Sequence, residues 1–182
     1  SAGGDIFLSS NSWIYAKVAT NDGGAPLFRA RNINICAGSG FNSTTNGFWP
    51  SGPGTPATSS RGGGGYGGQG GTGYGPGGAT YGSADSPILP GSPGQAQSLP
   101  YGGGRGGGVL RMEAERSIRI DGRLEANGAT GGFDSGGGSG GSIFLTCRWL
   151  EGATSGLIQA RGGNASQTVN AGDGGGGRIA VA

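Results

Sequence analysis

Short apolar bursts separated by glycine runs set the pattern of this chain. Within each burst apolar and polar positions alternate over four to six residues, the period of a half-buried strand. One copy is Gly107-Gly108-Val109-Leu110-Arg111-Met112, the next Gly140-Gly141-Ser142-Ile143-Phe144-Leu145, and a third Gly176-Gly177-Arg178-Ile179-Ala180-Val181. Gly3-Gly4-Asp5-Ile6-Phe7-Leu8 has the same form near the start. Gly108 to Gly141 spans 33 residues and Gly141 to Gly177 spans 36. A second strand lies inside each unit, since Gly122-Arg123-Leu124-Glu125-Ala126-Asn127-Gly128 matches Gly156-Leu157-Ile158-Gln159-Ala160-Arg161-Gly162 at an offset of 34. Ser117-Ile118-Arg119-Ile120 alternates as well, and Ile33-Asn34-Ile35, following Leu27-Phe28-Arg29-Ala30, is its counterpart upstream. No segment carries a 3.6-residue apolar period, so the pattern predicts an all-β chain.

Short strands, glycine corners and a period near 34 residues together predict a glycine-rich parallel β-solenoid, or β-helix-like fold, spanning 1–182 as a single domain. One coil cannot close a core; stacked coils pair their backbones and bury a ladder of Ile, Leu, Val and Phe. A glycine-rich β-sandwich is the competing architecture. Residues 38–104 break the pattern. They hold eight of the nine prolines, are rich in Gly, Ser and Thr, and read as a long insertion from one coil. Inside it Gly64-Gly65-Tyr66, Gly67-Gly68-Gln69 and Gly70-Gly71-Thr72 repeat every third residue, the period of a polyproline-II-type helix. Polyglycine-II-type helices would press their glycine edges together and turn the third residue outward, with 102–104, 136–138 and 174–177 as neighbouring chains. A low-complexity loop is the alternative.

Composition sharpens this reading. Of 182 residues 48 are Gly, whereas about 7% is usual. Glycine loses the most backbone entropy on ordering and buries no side chain, so an ordinary helical or α/β core is hard to build from this composition. Disorder calls for high net charge, but the net charge is only +2. The arginines are spread thinly and Lys17 is the single lysine, which argues against nucleic-acid partners. No apolar run approaches the ~20 residues of a membrane-spanning helix. The chain starts at Ser1 without Met, as expected of a processed product or an excised piece.

The motifs Tyr81-Gly82-Ser83, Gly91-Ser92, the strand at Val109, the segment 122–128 and the run 174–180 make the chain similar to the glycine-rich β-helix-like regions of large surface proteins of bacteria, algae and animals. That resemblance implies a structural or adhesive role at a cell surface and carries no catalytic residue. The leading expectation is an extracellular structural unit of a repetitive surface protein or filament. Its partners would be copies joined head to tail or neighbouring repeats of the same chain, because neither terminal strand pattern carries a polar cap. The alternative is an adhesive module that binds glycans or ice on a glycine-rich face, although the Thr residues are scattered and form no regular row.

Catalytic chemistry finds little footing. There is no His, so neither a Ser-His-Asp nor a Cys-His pair can form. Two distant cysteines make no zinc site, and no cofactor is expected. Glu113 and Glu115 share one strand face with Asp121 and Glu125 nearby, a constellation able in principle to hydrolyse a glycosidic bond. The interleaved Arg111, Arg116, Arg119 and Arg123 mark it instead as a solvated, charge-balanced face. Asp134 and Asp173 stand in no calcium-ligand series. Three Arg-Gly-Gly triplets, at Arg61, Arg105 and Arg161, resemble RNA-binding segments, but only three occur and two abut predicted strands, as expected of corner arginines that cover glycine turns. An even cysteine count allows one disulfide, Cys36–Cys147, which is the expected state; two buried free thiols are the alternative. Asn42-Ser43-Thr44 and Asn164-Ala165-Ser166 fit the N-glycosylation pattern, and Thr55 and Ser92 near prolines are candidate O-linked positions.

Overall fold

The computed structural model describes residues 3–97, 102–166 and 170–182. Ser1 and Ala2, which precede the N-terminal repeat, and residues 98–101 of the insertion lie outside the described residues. Ten strands and no helix occur among the described residues. In chain order they are β1 (Ile6–Leu8), β2 (Trp13–Tyr15), β3 (Leu27–Ile35), β4 (Gly40–Asn42), β5 (Val109–Ile120), β6 (Arg123–Glu125), β7 (Ser142–Thr146), β8 (Trp149–Glu151), β9 (Leu157–Gln159) and β10 (Arg178–Val181).

Every strand pair is parallel. The first sheet runs β1-β3-β5-β7-β10, with β8 beside the C-terminal half of β5; the second runs β2-β4-β6-β9. Register is set by burial: Ile6, Ile33, Ile118 and Leu150 align across the first sheet. Ile14, Phe41, Leu124 and Ile158 align across the second. A one-residue slip would turn each apolar set to water. The sheets face each other, with Phe28 edge-on to Phe41 at 4.8 Å between ring centroids. Between them Ile33, Leu110, Met112, Ile118, Leu124, Ile143 and Leu145 are fully buried. Between Ala30 and Asn32 the register slips, because β5 supplies one more residue than β3 there. This bulge divides the first sheet into two halves.

The expected β-solenoid is therefore corrected. The chain is all-strand with no helix among the described residues, but its strands form two separate open parallel sheets and neither closes. The 34-residue period does place equivalent strands in register. The glycine runs between the strands bond to their neighbours at every third residue and form no strand of either sheet.

Those runs form a bundle of their own. Gly136, Gly137 and Gly138 donate their N–H groups to the carbonyls of Gln95, Gly172 and Ala129; Ser139, Gly140 and Gly141 repeat the cycle at Ser92, Gly175 and Ala126, all at 2.7–3.0 Å. The same segment accepts bonds from Gly104, Gly64, Gly163 and Gly107. Three neighbouring chains receive and three give, so six surround one. Direction repeats every third residue, as a threefold extended helix requires. At Gly138 a Cβ would run into the backbone carbonyl of Arg105, so the close approach admits only glycine.

The insertion contributes chains to this bundle through Gly64 and Ser92, and its expected start is revised, since residues 40–42 are β4. Gln69 is exposed as the triplet pattern predicts, but Tyr66 points inward and is fully buried. Its ring packs on Tyr81 at 4.8 Å, and its hydroxyl donates to Ser142 Oγ at 2.6 Å while Ser142 donates onward to the Leu89 carbonyl. Burial raises both phenols above their ordinary range, so both stay neutral.

Candidate assembly edges

A parallel sheet is usually covered on both faces and its edge strands are shielded, because an uncovered edge exposes a row of unpaired N–H and C=O groups. Here the outermost strands carry apolar side chains into solvent. On one side stand β1 and β2, with Phe7 and Tyr15 each 66% exposed and Trp13 beside them. On the opposite side stand β8 and β10, with Trp149 58% and Val181 51% exposed, together with Leu150 and Ile179. The aligned positions on the inner strands, Ile33 and Ile118 for Leu150, are fully buried. Leu150, Ile179 and Val181 thus stand at core registers on strands with no neighbour beyond them, whereas Phe7, Tyr15 and Trp149 share their registers with the outward-facing Asn34, Asn42 and Ser117.

Charged groups lie on the outer face of the first sheet and pair with one another. Glu113 accepts from Arg29 and from Arg111, the latter at 2.8 Å. Arg29 first, then Arg111, hold its carboxyl below the usual range. Arg119 does the same for Asp121 at 2.9 Å, and Arg31 for Asp5 at 3.1 Å. A general acid needs its pKa raised; at Glu113 and Asp121 it is lowered. Among the described residues no group of three His, Cys, Asp or Glu could hold a metal ion. Among them, too, no helix is long and apolar enough to cross a membrane.

The other sequence-predicted residues are scattered. Cys36 and Cys147 are free thiols, a correction to the expected disulfide. Cys36 follows β3 and Cys147 follows β7, and β5 runs between those strands. Two strand spacings are about 9.6 Å, beyond the ~7 Å limit between bridged Cα atoms. Burial pushes the Cys147 thiol up. Asn42 uses its side chain internally: Oδ1 accepts from the Thr44 N–H at 2.8 Å and Nδ2 donates to Glu125. Asn164 is exposed and lines a shallow hollow with Thr130, Phe133 and Ser166. Thr55 Oγ1 accepts from the Gly52 N–H, and Ser92 is buried, its hydroxyl donating to Tyr81. Of the triplet arginines, Arg61 is buried over the Tyr74 ring and bonded to Asp134, and Arg105 lies over Trp49. Both are fastened to protein rings, which leaves them poorly placed to stack on bases.

Sequence reasoning missed the pairing of Tyr66 with Ser142 and the exposure of Trp149, because both depend on which chains become neighbours. No family model, no curated protein and no solved structure matches the chain.

Proposed function

We propose that this chain is a structural unit of an extracellular filament or repetitive surface protein, extended by end-to-end addition. The observation that carries this reading is the pair of open parallel-sheet edges, each lined with exposed large apolar side chains. Water is a poor neighbour for the inward-facing Leu150, Ile179 and Val181, which an added strand would cover while satisfying the edge backbone, and the outward-facing Phe7, Tyr15 and Trp149 would gain a side-chain neighbour beside them. The glycine bundle suits a load-bearing part, since its order rests on backbone hydrogen bonds in several directions rather than on one apolar core. Sedimentation velocity and negative-stain imaging of the purified chain test the reading. Filaments or a concentration-dependent series of oligomers are expected; a monodisperse monomer at every concentration would overturn it.

A second reading, a glycan-binding module, draws on the hollow where the exposed Phe133 ring lies beside Thr130, Asn164 and Ser166. Aromatic faces and polar rims of this kind suit sugar rings. Calorimetric titration of soluble polysaccharide into the monomer, with loss of heat in Phe133→Ala, would favour it.

A further inference from the structure

The strands fall into three rows. In the first half of the first sheet the row is residues 27–30 of β3, residues 109–114 of β5, then β7 and β10. In its second half the row is β1, residues 32–35 of β3, residues 117–120 of β5, then β8. The second sheet supplies β2, β4, β6 and β9. Each row holds four strands, and the first is displaced from the second by one strand. The two ends of the molecule are therefore stepped, and the step at one end is the complement of the step at the other.

We infer that the partner at each edge is a second copy of this chain, docked by a shift of four strands so that all three rows continue in register. This rests on the assembly reading above and specifies its geometry. Counting along the ladders, Leu150 of one copy meets Ile6 of the next, as Ile118 meets Ile33 within a copy. Ile158 meets Ile14, extending the line through Phe41 and Leu124. β10 fills the gap beside residues 27–30, setting Val181 against Phe28. Every inward position at the joint is apolar on both sides. On the outer face of the first sheet Glu151 meets Phe7 and Trp149 meets Asp5, neither of them a like-charge pair; past the second sheet the exposed Arg161 and Lys17 come side by side, with solvent to screen them. Four strands at the usual spacing give an axial rise of about 19 Å per copy. A heterologous contact of this kind does not close into a ring unless curvature brings its ends together, so it builds an open filament.

In-register neighbours on parallel strands stand about 4.8 Å apart, within disulfide range. The test uses the full chain with Cys36→Ser and Cys147→Ala, carrying either Phe7→Cys with Glu151→Cys or Tyr15→Cys with Gln159→Cys. Each pair should give a ladder of covalent multimers on non-reducing gels after mild oxidation. Phe7→Cys with Gln159→Cys, which places the thiols in different sheets, should give none. Layer lines from filaments of the unaltered chain should index to a rise of about 19 Å. If the unaltered chain forms filaments but neither matched pair cross-links, or the rise differs, the register is wrong and the assembly reading survives. If the unaltered chain stays monomeric and no pair cross-links, both fall.

Discussion

Substituting Gly138 by Ala tests whether the glycine bundle is a packed lattice or a passive filler. A Cβ at Gly138 would collide with the carbonyl of Arg105, a backbone atom with no rotamer to retreat into. Overpacking of this sort costs about 1–3 kcal/mol. Relieving it by separating the chains loosens the bonds from Gly138 N–H to Ala129 and from Gly163 N–H to Gly138, at about 1 kcal/mol each. The expected loss is thus about 3–5 kcal/mol. Gly176 is the control. Nothing lies within 4 Å of a Cβ built there, and its φ is not positive. Gly176→Ala should stabilise by about 0.4–1 kcal/mol through the unfolded chain alone. At about 2–4 °C per kcal/mol the two variants should differ in Tm by roughly 7–24 °C. Thermal melts followed by circular dichroism, at a concentration where the chain is monomeric, read this directly. Equal melting temperatures for the two variants would refute the argument that chain contact in the bundle demands glycine.

Other perturbations have equally definite outcomes. Leu124→Ala empties a fully buried site between the sheets and should cost about 2–5 kcal/mol in a urea titration, whereas the exposed Phe133→Ala should cost little. Tyr66→Phe removes the donor to Ser142 and should cost about 1–2 kcal/mol, without a change in the ultraviolet titration of exposed tyrosines. Glu113 has a depressed folded pKa, so its contribution is present above its unfolded value and is lost as pH falls through the folded one. Glu113→Gln should therefore show a smaller drop in stability on acidification below about pH 4 than the unaltered chain, measured by melts across pH. Thiol labelling of the unreduced, denatured protein should find two reactive cysteines; none would restore the disulfide.

The alternating residues marked most of the strands, but not β2, β4 or β8, three-residue strands too short to show a period. Ile33-Asn34-Ile35, Ser117-Ile118-Arg119-Ile120 and Leu157-Ile158-Gln159 each form where the period-two pattern places them, because an isolated strand needs only one apolar face to declare itself. Glycine content argued against a helical core, and none occurs among the described residues. The period near 34 residues also matched equivalent strands correctly, Leu110 with Ile143 and Ile143 with Ile179. What lay beyond the sequence was everything that depends on which backbones become neighbours. A glycine run carries no side chain to announce a partner, so whether it completes a strand coil or joins a six-neighbour bundle is decided only when Gly138 meets Arg105 and Ala129 in space. The same holds for Tyr66, turned inward by Ser142 against its triplet pattern, and for Cys36 and Cys147, whose even count suggested a bond that the strand between them forbids. Side-chain pattern is local and legible; backbone-to-backbone packing is non-local, and in a chain this rich in glycine it decides how the strands are closed, covered and left open.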